Sequence, residues 1–331
     1  MKFKLQIVFV LLGACCLVPS IIRAGMAADR LYQKVEPTVV EVLLDGVHSG
    51  SGNFVDPQGR VLTAAHIFRN FDEGIKIKLV SERFGLLDAA LLKLSPVNDL
   101  ALLQVVGADR GFPYLKPAGE IPPVGSRIHL LAAPSYLHSL FNIGYVARDR
   151  LDYRFGDYCG CRGYAELLYV VAATDRGSSG GGWVNDEGEL LGVQSGWVDR
   201  LGVAGQNSGV CMISSPRATA DFVASGKAVA KTWLGAVVEE LWTQPKGFID
   251  RFPPGSVGLV LHRLLDDGPF KESGIEHEWL ISAMNGEPTV FRHLFLDEIR
   301  AMKAGDEIVL ELIKPDSHEK VERRIVLGEL E

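Results

Sequence analysis

Between about Asp29 and Ala224 the chain is interrupted so often by turn-forming residues that no long helix fits there. Glycine occurs 36 times and proline 16 times in 331 residues, and Asn and Asp fill many of the remaining breaks. Between the breaks lie short apolar runs: Val39–Leu44, Gly52–Val55, Ile75–Val80, Leu100–Val106, Ile128–Ala132, Leu168–Ala172 and Leu190–Val193. Several alternate with period two, the pattern of a strand with one buried face. Many short strands at close spacing predict sheets closed into barrels or stacked as a sandwich. Helical periodicity is confined to Asp29–Val35 and Ala218–Ala224.

The pattern changes near Ser225-Gly226-Lys227. Beyond it, strands are expected at Ala236–Glu239, Gly258–Leu264, Trp279–Met284, Glu307–Ile313 and Val321–Leu327. One helix is expected over Val290–Ala304, where Leu294, Ile299 and Met302 recur at helical spacing and Gly305 stands as its terminator. The expected division is therefore a segment 1–27, a mainly β domain 28–226 and an α+β domain 227–331. The length suits one or two domains behind a leader.

Composition excludes several classes. With 47% hydrophobic and 23% charged residues, the chain can bury a core and is neither disordered nor collagen-like. A net charge of -7 argues against a nucleic-acid partner, which needs a basic footprint. Five cysteines are too few for a disulfide scaffold.

The amino terminus reads as an export segment. Lys2 and Lys4 precede an apolar stretch of 18 residues, Leu5–Ile22. Three fates compete: cleavage near Gly25-Met26-Ala27, lipidation of Cys15 in the lipobox-like Leu12-Gly13-Ala14-Cys15, or retention as a membrane anchor. Cys15 and Cys16 also fit as small apolar residues of an ordinary leader. In each case the body is expected outside the cytosol, in the periplasm or cell envelope. No second run of that length follows, so the body is expected to be soluble.

Three short segments carry chemistry in combination. His66 ends Leu62-Thr63-Ala64-Ala65-His66, after the turn Ser49-Gly50-Ser51-Gly52. Asp99 precedes the apolar strand Leu100–Val106. Ser179 sits in Asp175-Arg176-Gly177-Ser178-Ser179-Gly180-Gly181-Gly182. Separately they fit a surface histidine, a turn aspartate and a flexible linker. The glycine-rich run, however, lies between strands, which favours a tight turn that exposes a hydroxyl. The order His, Asp, Ser is that of two-barrel serine proteases, and differs from subtilisins and α/β-hydrolases. A serine hydroxyl is a weak nucleophile at neutral pH. His66 would take its proton, Asp99 would orient the imidazole, and the Gly177 and Ser179 N–H groups would form an oxyanion hole.

These segments resemble the catalytic segments of trypsin-like serine proteases of the HtrA/Deg type. Glu36–Val40, Ser49–Val55 and Glu187–Val193 resemble that family's opening strand, its Gly-Ser-Gly strand and the hairpin after its serine. The resemblance continues to about residue 330. Trp233-Leu234-Gly235-Ala236-Val237 looks like the carboxylate-binding loop of a PDZ domain, and Gly274-Ile275, Leu280–Gly286 and Ala304-Gly305-Asp306 fit the rest. The implied fold is mainly β, a two-barrel trypsin-like (chymotrypsin-fold) protease domain followed by an α+β PDZ domain. Two departures stand out: Ser178 replaces the family's Asn, with a hydroxyl that can cap the turn at shorter reach, and Gly182 replaces its Pro.

The resemblance implies an ATP-independent endopeptidase that cleaves unfolded or misfolded envelope proteins, without metal or other cofactor. No P-loop pattern is present in the sequence. Ala173 and Thr174 fall at the base of the specificity pocket and Val193, Gln194 and Ser195 along its wall, which implies small or medium apolar residues before the cut. Trp233, Leu234, Gly235, Ala236, Val237 and Leu294 would bind peptide C-termini, with Lys231 either adding a positive charge or simply solvated. The family's trimers point to Tyr32 as an interface residue, or to a tyrosine packed within its own helix. Cys159, Cys161 and Cys211 leave one thiol over, with pairing of Cys211 to either of the others open. Two other classes remain: a weakly catalytic or non-catalytic peptide-binding chaperone on a protease fold, and a membrane-anchored regulatory protease.

Overall fold

A computed structural model describes residues 27–69, 74–134, 137–155, 164–200, 203–225 and 231–330. The leader, Cys159, Cys161 and the boundary at Gly226-Lys227 lie outside the described residues. The chain is mainly β, and its strands close into two barrels followed by an open sheet.

Helix α1 (27–35) leads into the first barrel. Its strands are β1 (Val39–Leu44), β2 (Val47–Phe54), β3 (Arg60–Thr63), β4 (Ile77–Ser81), β5 (Gly85–Ser95) and β6 (Leu100–Val105), in the closed order β1-β2-β3-β6-β5-β4. Phe54, Val61, Leu79 and Leu103 fill it with no solvent exposure. The second barrel comprises β7 (Arg127–Ala132), β8 (Leu140–Phe155), β9 (Tyr164–Val171), β10 (Gly182–Val184), β11 (Leu190–Arg200) and β12 (Val203–Ser214), in the order β10-β11-β12-β9-β8-β7. Trp183 lies at its centre, where its indole Nε1 donates to Gln194 Oε1 at 2.9 Å. A third core joins the barrels, with Val35, Leu62 and Leu100 against Leu131, Val184 and Leu190. Helix α2 (Pro216–Ser225) covers it with Phe222 and Val223.

The carboxy-terminal part opens with β13 (Lys231–Trp233), which pairs with the last strand, β20 (Gly328–Leu330). Between them a sheet runs β14-β15-β16-β18-β19: β14 (Ala236–Glu240), β15 (Leu259–Leu264), β16 (Leu280–Met284), β18 (Glu307–Ile313) and β19 (Lys320–Val326). The short β17 (Glu287–Pro288) pairs with β16, and α3 (Lys246–Ile249) and α4 (Pro269–Glu272) fill connections. Helix α5 (Arg292–Ala301) packs Phe295, Leu296 and Ile299 on the sheet. This is the predicted helix, but its inward face differs from expectation. Leu294 is 54% exposed, and Gly305 stands four residues past the helix, donating its N–H to Leu327 O. The sequence pattern missed β5, β8 and β12 because each carries charged or polar residues on an exposed face, and mixed burial blurs the period.

Candidate active site

The three chemistry-bearing segments meet where the barrels face each other. His66 sits on a 3₁₀ turn, Ala65–Phe68, just after β3. Asp99 follows another 3₁₀ turn, Pro96–Asn98, in left-handed conformation (φ 51°), which Asp tolerates better than most residues. Its carboxylate is fully buried yet well supplied with donors. Oδ1 accepts the His66 backbone N–H at 2.8 Å, Oδ2 accepts His66 Nδ1–H at 2.9 Å, and Oδ2 also accepts the Ser195 hydroxyl. With Nδ1–H donated to Asp99, the other ring nitrogen is left to accept. His66 Nε2 lies 2.9 Å from Ser179 Oγ.

The serine loop is held by both barrels. Ser51 N–H donates to Ser179 O at 2.7 Å from the first, and Gly180 N–H donates to Gln194 O at 2.8 Å in the second. Gly180 has φ +84°, and a Cβ there would stand 2.1 Å from Thr63 Oγ1 and 2.2 Å from Ser51 O. Only glycine lets the loop approach β2 and β3 so closely. Among the described residues, the Gly177 and Ser179 N–H groups donate to no protein acceptor and remain available to a substrate oxygen. Gly177 O is held by the Ser51 hydroxyl at 2.8 Å.

The two departures from the family pattern have different structural outcomes. Gly182 N–H donates to Asn53 Oδ1 at 2.7 Å, a bond that proline cannot make. Asn53 Nδ2 donates onward to Thr38 Oγ1, whose hydroxyl donates to Val35 O, so the network ties the serine loop to α1. The Ser178 hydroxyl, expected to cap its turn, is buried and, among the described residues, makes no hydrogen bond. The turn is closed instead by Ser178 N–H to Asp175 O at 3.1 Å.

A cleft of about 570 Å³ opens beside Ser179, lined by His66, Arg154, Ser195, Gly196, Trp197, Val198 and Asp199. The residues expected to form the specificity pocket are placed differently around it. Of these residues, only Ser195 lines the cleft. Val193 packs in the inter-barrel core, and the Gln194 side chain is turned inward between Trp183 and Gly196 O. Ala173 is exposed rather than at a closed base, and Thr174 bonds Cys211 Sγ and Asn207. Among the described residues Cys211 is a buried free thiol, and the cysteines expected as its partners, Cys159 and Cys161, lie outside them. Burial pushes its pKa up. Alternation along β11 turns the Gln194 side chain away from those of Val193 and Ser195, which a contiguous assignment cannot respect.

The expected peptide groove also differs. β14 is an edge strand, as a peptide-accepting groove requires. Its outer edge is nevertheless taken. Val238 N–H donates to Tyr164 Oη at 2.7 Å, and Tyr164 Oη–H donates to Val238 O at 3.2 Å. Tyr153 and Tyr164, from the β8–β9 hairpin, are buried in one cluster with Leu234, Ala236, Val238 and Phe295. Tyr153 Oη–H donates to Asp297 of α5. Arg300 of the same helix donates to Thr232 O and Tyr164 O and pairs with Glu166, which also holds Lys231 Nζ at 2.8 Å. Lys231 is thus neither solvated nor aimed at a peptide carboxylate. Gly235 keeps its expected special backbone (φ +70°), because a Cβ there would lie 2.3 Å from Gly268 Cα. Trp233 pairs in β13 against Gly328, and Val237 is half-buried. Tyr32 packs edge-on against Phe141 within the chain, ring centroids 5.8 Å apart.

Sequence reasoning missed Arg154, Trp197, Tyr153 and Tyr164. Each sits on a long strand without a motif, and its role depends on which distant element faces it.

Residues 50–193 match the trypsin-like peptidase domain family. A DegP-like periplasmic serine endoprotease of Ectopseudomonas mendocina is 27% identical over 285 residues, covering 85% of this chain and 56% of the relative. Serine endoprotease DegS of Escherichia coli is 24% identical over 300 residues, covering 89% and 81%. The chain spans about half the length of the DegP-like relatives it matches. Among solved structures, the HtrA-type protease AlgW with decapeptide aligns with a TM-score of 0.64 at 15% identity, over 92% of this chain and 99% of that one. The serine endoprotease from Yersinia pestis aligns at 0.59 with 20% identity, over 92% and 98%. At these identities the structural likeness is one of fold. Residues 50–193 thus carry a trypsin-like peptidase domain, in a chain that is similar over most of its length to serine endoproteases of the HtrA/Deg type.

Proposed function

We propose that the protein is an exported, ATP-independent serine endopeptidase that cleaves unfolded envelope proteins. The observation that carries this reading is the position of His66, with Asp99 at 2.9 Å on one ring nitrogen and Ser179 at 2.9 Å on the other, at the mouth of an open cleft. In the proposed mechanism Ser179 Oγ attacks the scissile carbonyl while its proton passes to His66 Nε2. Asp99, held by three donors, fixes the imidazole and stabilises the imidazolium. The N–H groups of Gly177 and Ser179 hydrogen-bond the developing oxyanion. His66 then protonates the leaving amine, and water repeats the cycle on the acyl-enzyme. Trp197 and Val198 beside the serine favour apolar residues near the cut.

In the same reading residues 28–226 form the protease unit and 227–331 a PDZ unit that recognises peptide C-termini once Tyr164 leaves the β14 edge. Export to the periplasm is supported by the names of the relatives. A trimer rests on family likeness alone, since the Tyr32 ring is committed within its own chain.

The test is labelling of the wild-type chain and Ser179→Ala by a fluorophosphonate probe, alongside casein degradation. Wild type is expected to label and cleave, and the variant to do neither. Equal labelling of both would remove Ser179 as the nucleophile. A wild type that labels without cleaving would favour the peptide-holding chaperone, the reading to which the unbraced Ser178 hydroxyl gives some support.

A further inference from the structure

We propose that Arg154 sets a preference for an acidic side chain two to four residues before the scissile bond. This deepens the endopeptidase reading and rests on it for the direction of the substrate.

The first observation is an open strand edge beside Ser179. β10 pairs with β11 only as far as Gly182 opposite Val193. Past Gln194, β11 continues through Trp197 and Asp199 with, among the described residues, a partner strand only on its β12 side. An extended chain can add to the free edge by main-chain pairing. β11 runs away from the catalytic centre there, since Ser195 touches Asp99 and Asp199 lies four residues further on. An antiparallel strand on that edge therefore runs toward Ser179, and the residues that precede the cut lie against Trp197 and Val198.

The second observation is the charge distribution in the same cleft. Three titratable side chains line it besides Ser179: His66, Asp199 and Arg154. His66 is committed between Asp99 and Ser179. Asp199 Oδ1 is committed to its own hairpin, accepting from Trp197 Nε1 and Gly205 N, each at 3.1 Å. Arg154 is half-buried and, among the described residues, has no acidic partner. Its neighbours differ: Arg148 and Arg292 both approach Asp152, and Arg300 pairs with Glu166. Strand alternation explains why Arg154 faces the cleft while Tyr153 is buried against the carboxy-terminal sheet. A half-desolvated guanidinium with free donors accepts a carboxylate in a fork geometry that a neutral amide cannot match.

The experiment uses the full chain and a fluorogenic peptide with one cleavable site. Glu, Gln or Lys is moved through the five positions before the cut and the first two after it. The readout is the ratio of kcat/KM for Glu over Gln within each protein, so overall losses of activity cancel. Wild type should prefer Glu about three- to tenfold at one position between two and four residues before the cut. Arg154→Gln should bring that ratio to about one, and Arg154→Glu should make Lys the preferred residue there. The same peptides are titrated by fluorescence anisotropy against Ser179→Ala chains with and without Arg154→Gln, where the Glu preference should persist and disappear respectively. Cleavage with the same Glu/Gln ratio in all three proteins, or a Glu effect equal at every position, would overturn the role of Arg154. An Arg154-dependent Glu preference in anisotropy with no cleavage by wild type would uphold that role and overturn the endopeptidase reading instead.

Discussion

Replacing Tyr164 by phenylalanine removes one oxygen from the interface between the second barrel and the carboxy-terminal sheet, and that oxygen serves two backbone groups. Val238 N–H and Val238 C=O, on the edge where a peptide strand would pair, both bond it, at 2.7 and 3.2 Å. Val238 has no solvent exposure, so neither group gains water in exchange while the hairpin stays docked. Stranding a buried polar group costs about 1–3 kcal/mol. Taking one such penalty, since the carbonyl bond is long, the docked arrangement of Tyr164→Phe should weaken by about 5- to 150-fold relative to the undocked one. If docking and peptide binding exclude each other, the apparent affinity for a peptide with a free hydrophobic C-terminus should rise by up to that factor. Fluorescence anisotropy of a labelled peptide ending in valine, as free acid and as amide, on wild-type and variant full chains measures it. An unchanged dissociation constant, or a gain shared equally by the amide, would refute the competition argument. The phenylalanine keeps the ring packing among Leu234, Ala236 and Phe295, which separates the hydrogen-bond effect from the larger one of a cavity.

Ser179→Ala should lower kcat about 10⁶-fold and Asp99→Asn about 10⁴-fold, by analogy with triad substitutions elsewhere; an Asp99→Asn chain with wild-type kinetics would mean that another group orients His66. Gly182→Pro should destabilise the protein by about 2–4 kcal/mol, because Asn53 Oδ1 loses its buried donor and a Cβ would stand 2.7 Å from it. Denaturant unfolding checks this, and a midpoint within error of wild type would count against the Asn53 network. Burial pushes the phenol pKa of Tyr153 and Tyr164 well above the usual tyrosine range and that of Tyr169 up to about 12. These phenols stay neutral in the fold, so their stabilising contribution is complete below the unfolded tyrosine pKa of about 10 and is lost as pH rises through the folded values. A spectrophotometric titration should find them ionising late, and in Tyr164→Phe one late group should vanish. Eight phenols titrating together near pH 10 in folded protein would contradict the burial.

The mainly β architecture and the residues of the candidate triad were legible in the linear chain. Strand alternation and turn residues are local properties, and Val39–Leu44 appears with the expected bounds. His66, Asp99 and Ser179 could be singled out because each sits in a short segment whose residue types are dictated by backbone geometry. A histidine just past a strand, an acid before an apolar strand and glycines around the serine are such signatures. Gly180 shows the constraint directly, since any side chain there would strike β2 and β3. What the sequence could not disclose are relations between faces of long strands. Val193, Gln194 and Ser195 are adjacent in the chain, yet one fills the inter-barrel core, one bonds Trp183 and one touches Asp99. Tyr153 and Arg154 are likewise neighbours, divided by the pleat between the carboxy-terminal sheet and the catalytic cleft. Whether the β14 edge stands open depends on Tyr164, 74 residues away. A period of two shows that faces alternate, but which element meets each face is decided only when barrels, hairpin and sheet pack together.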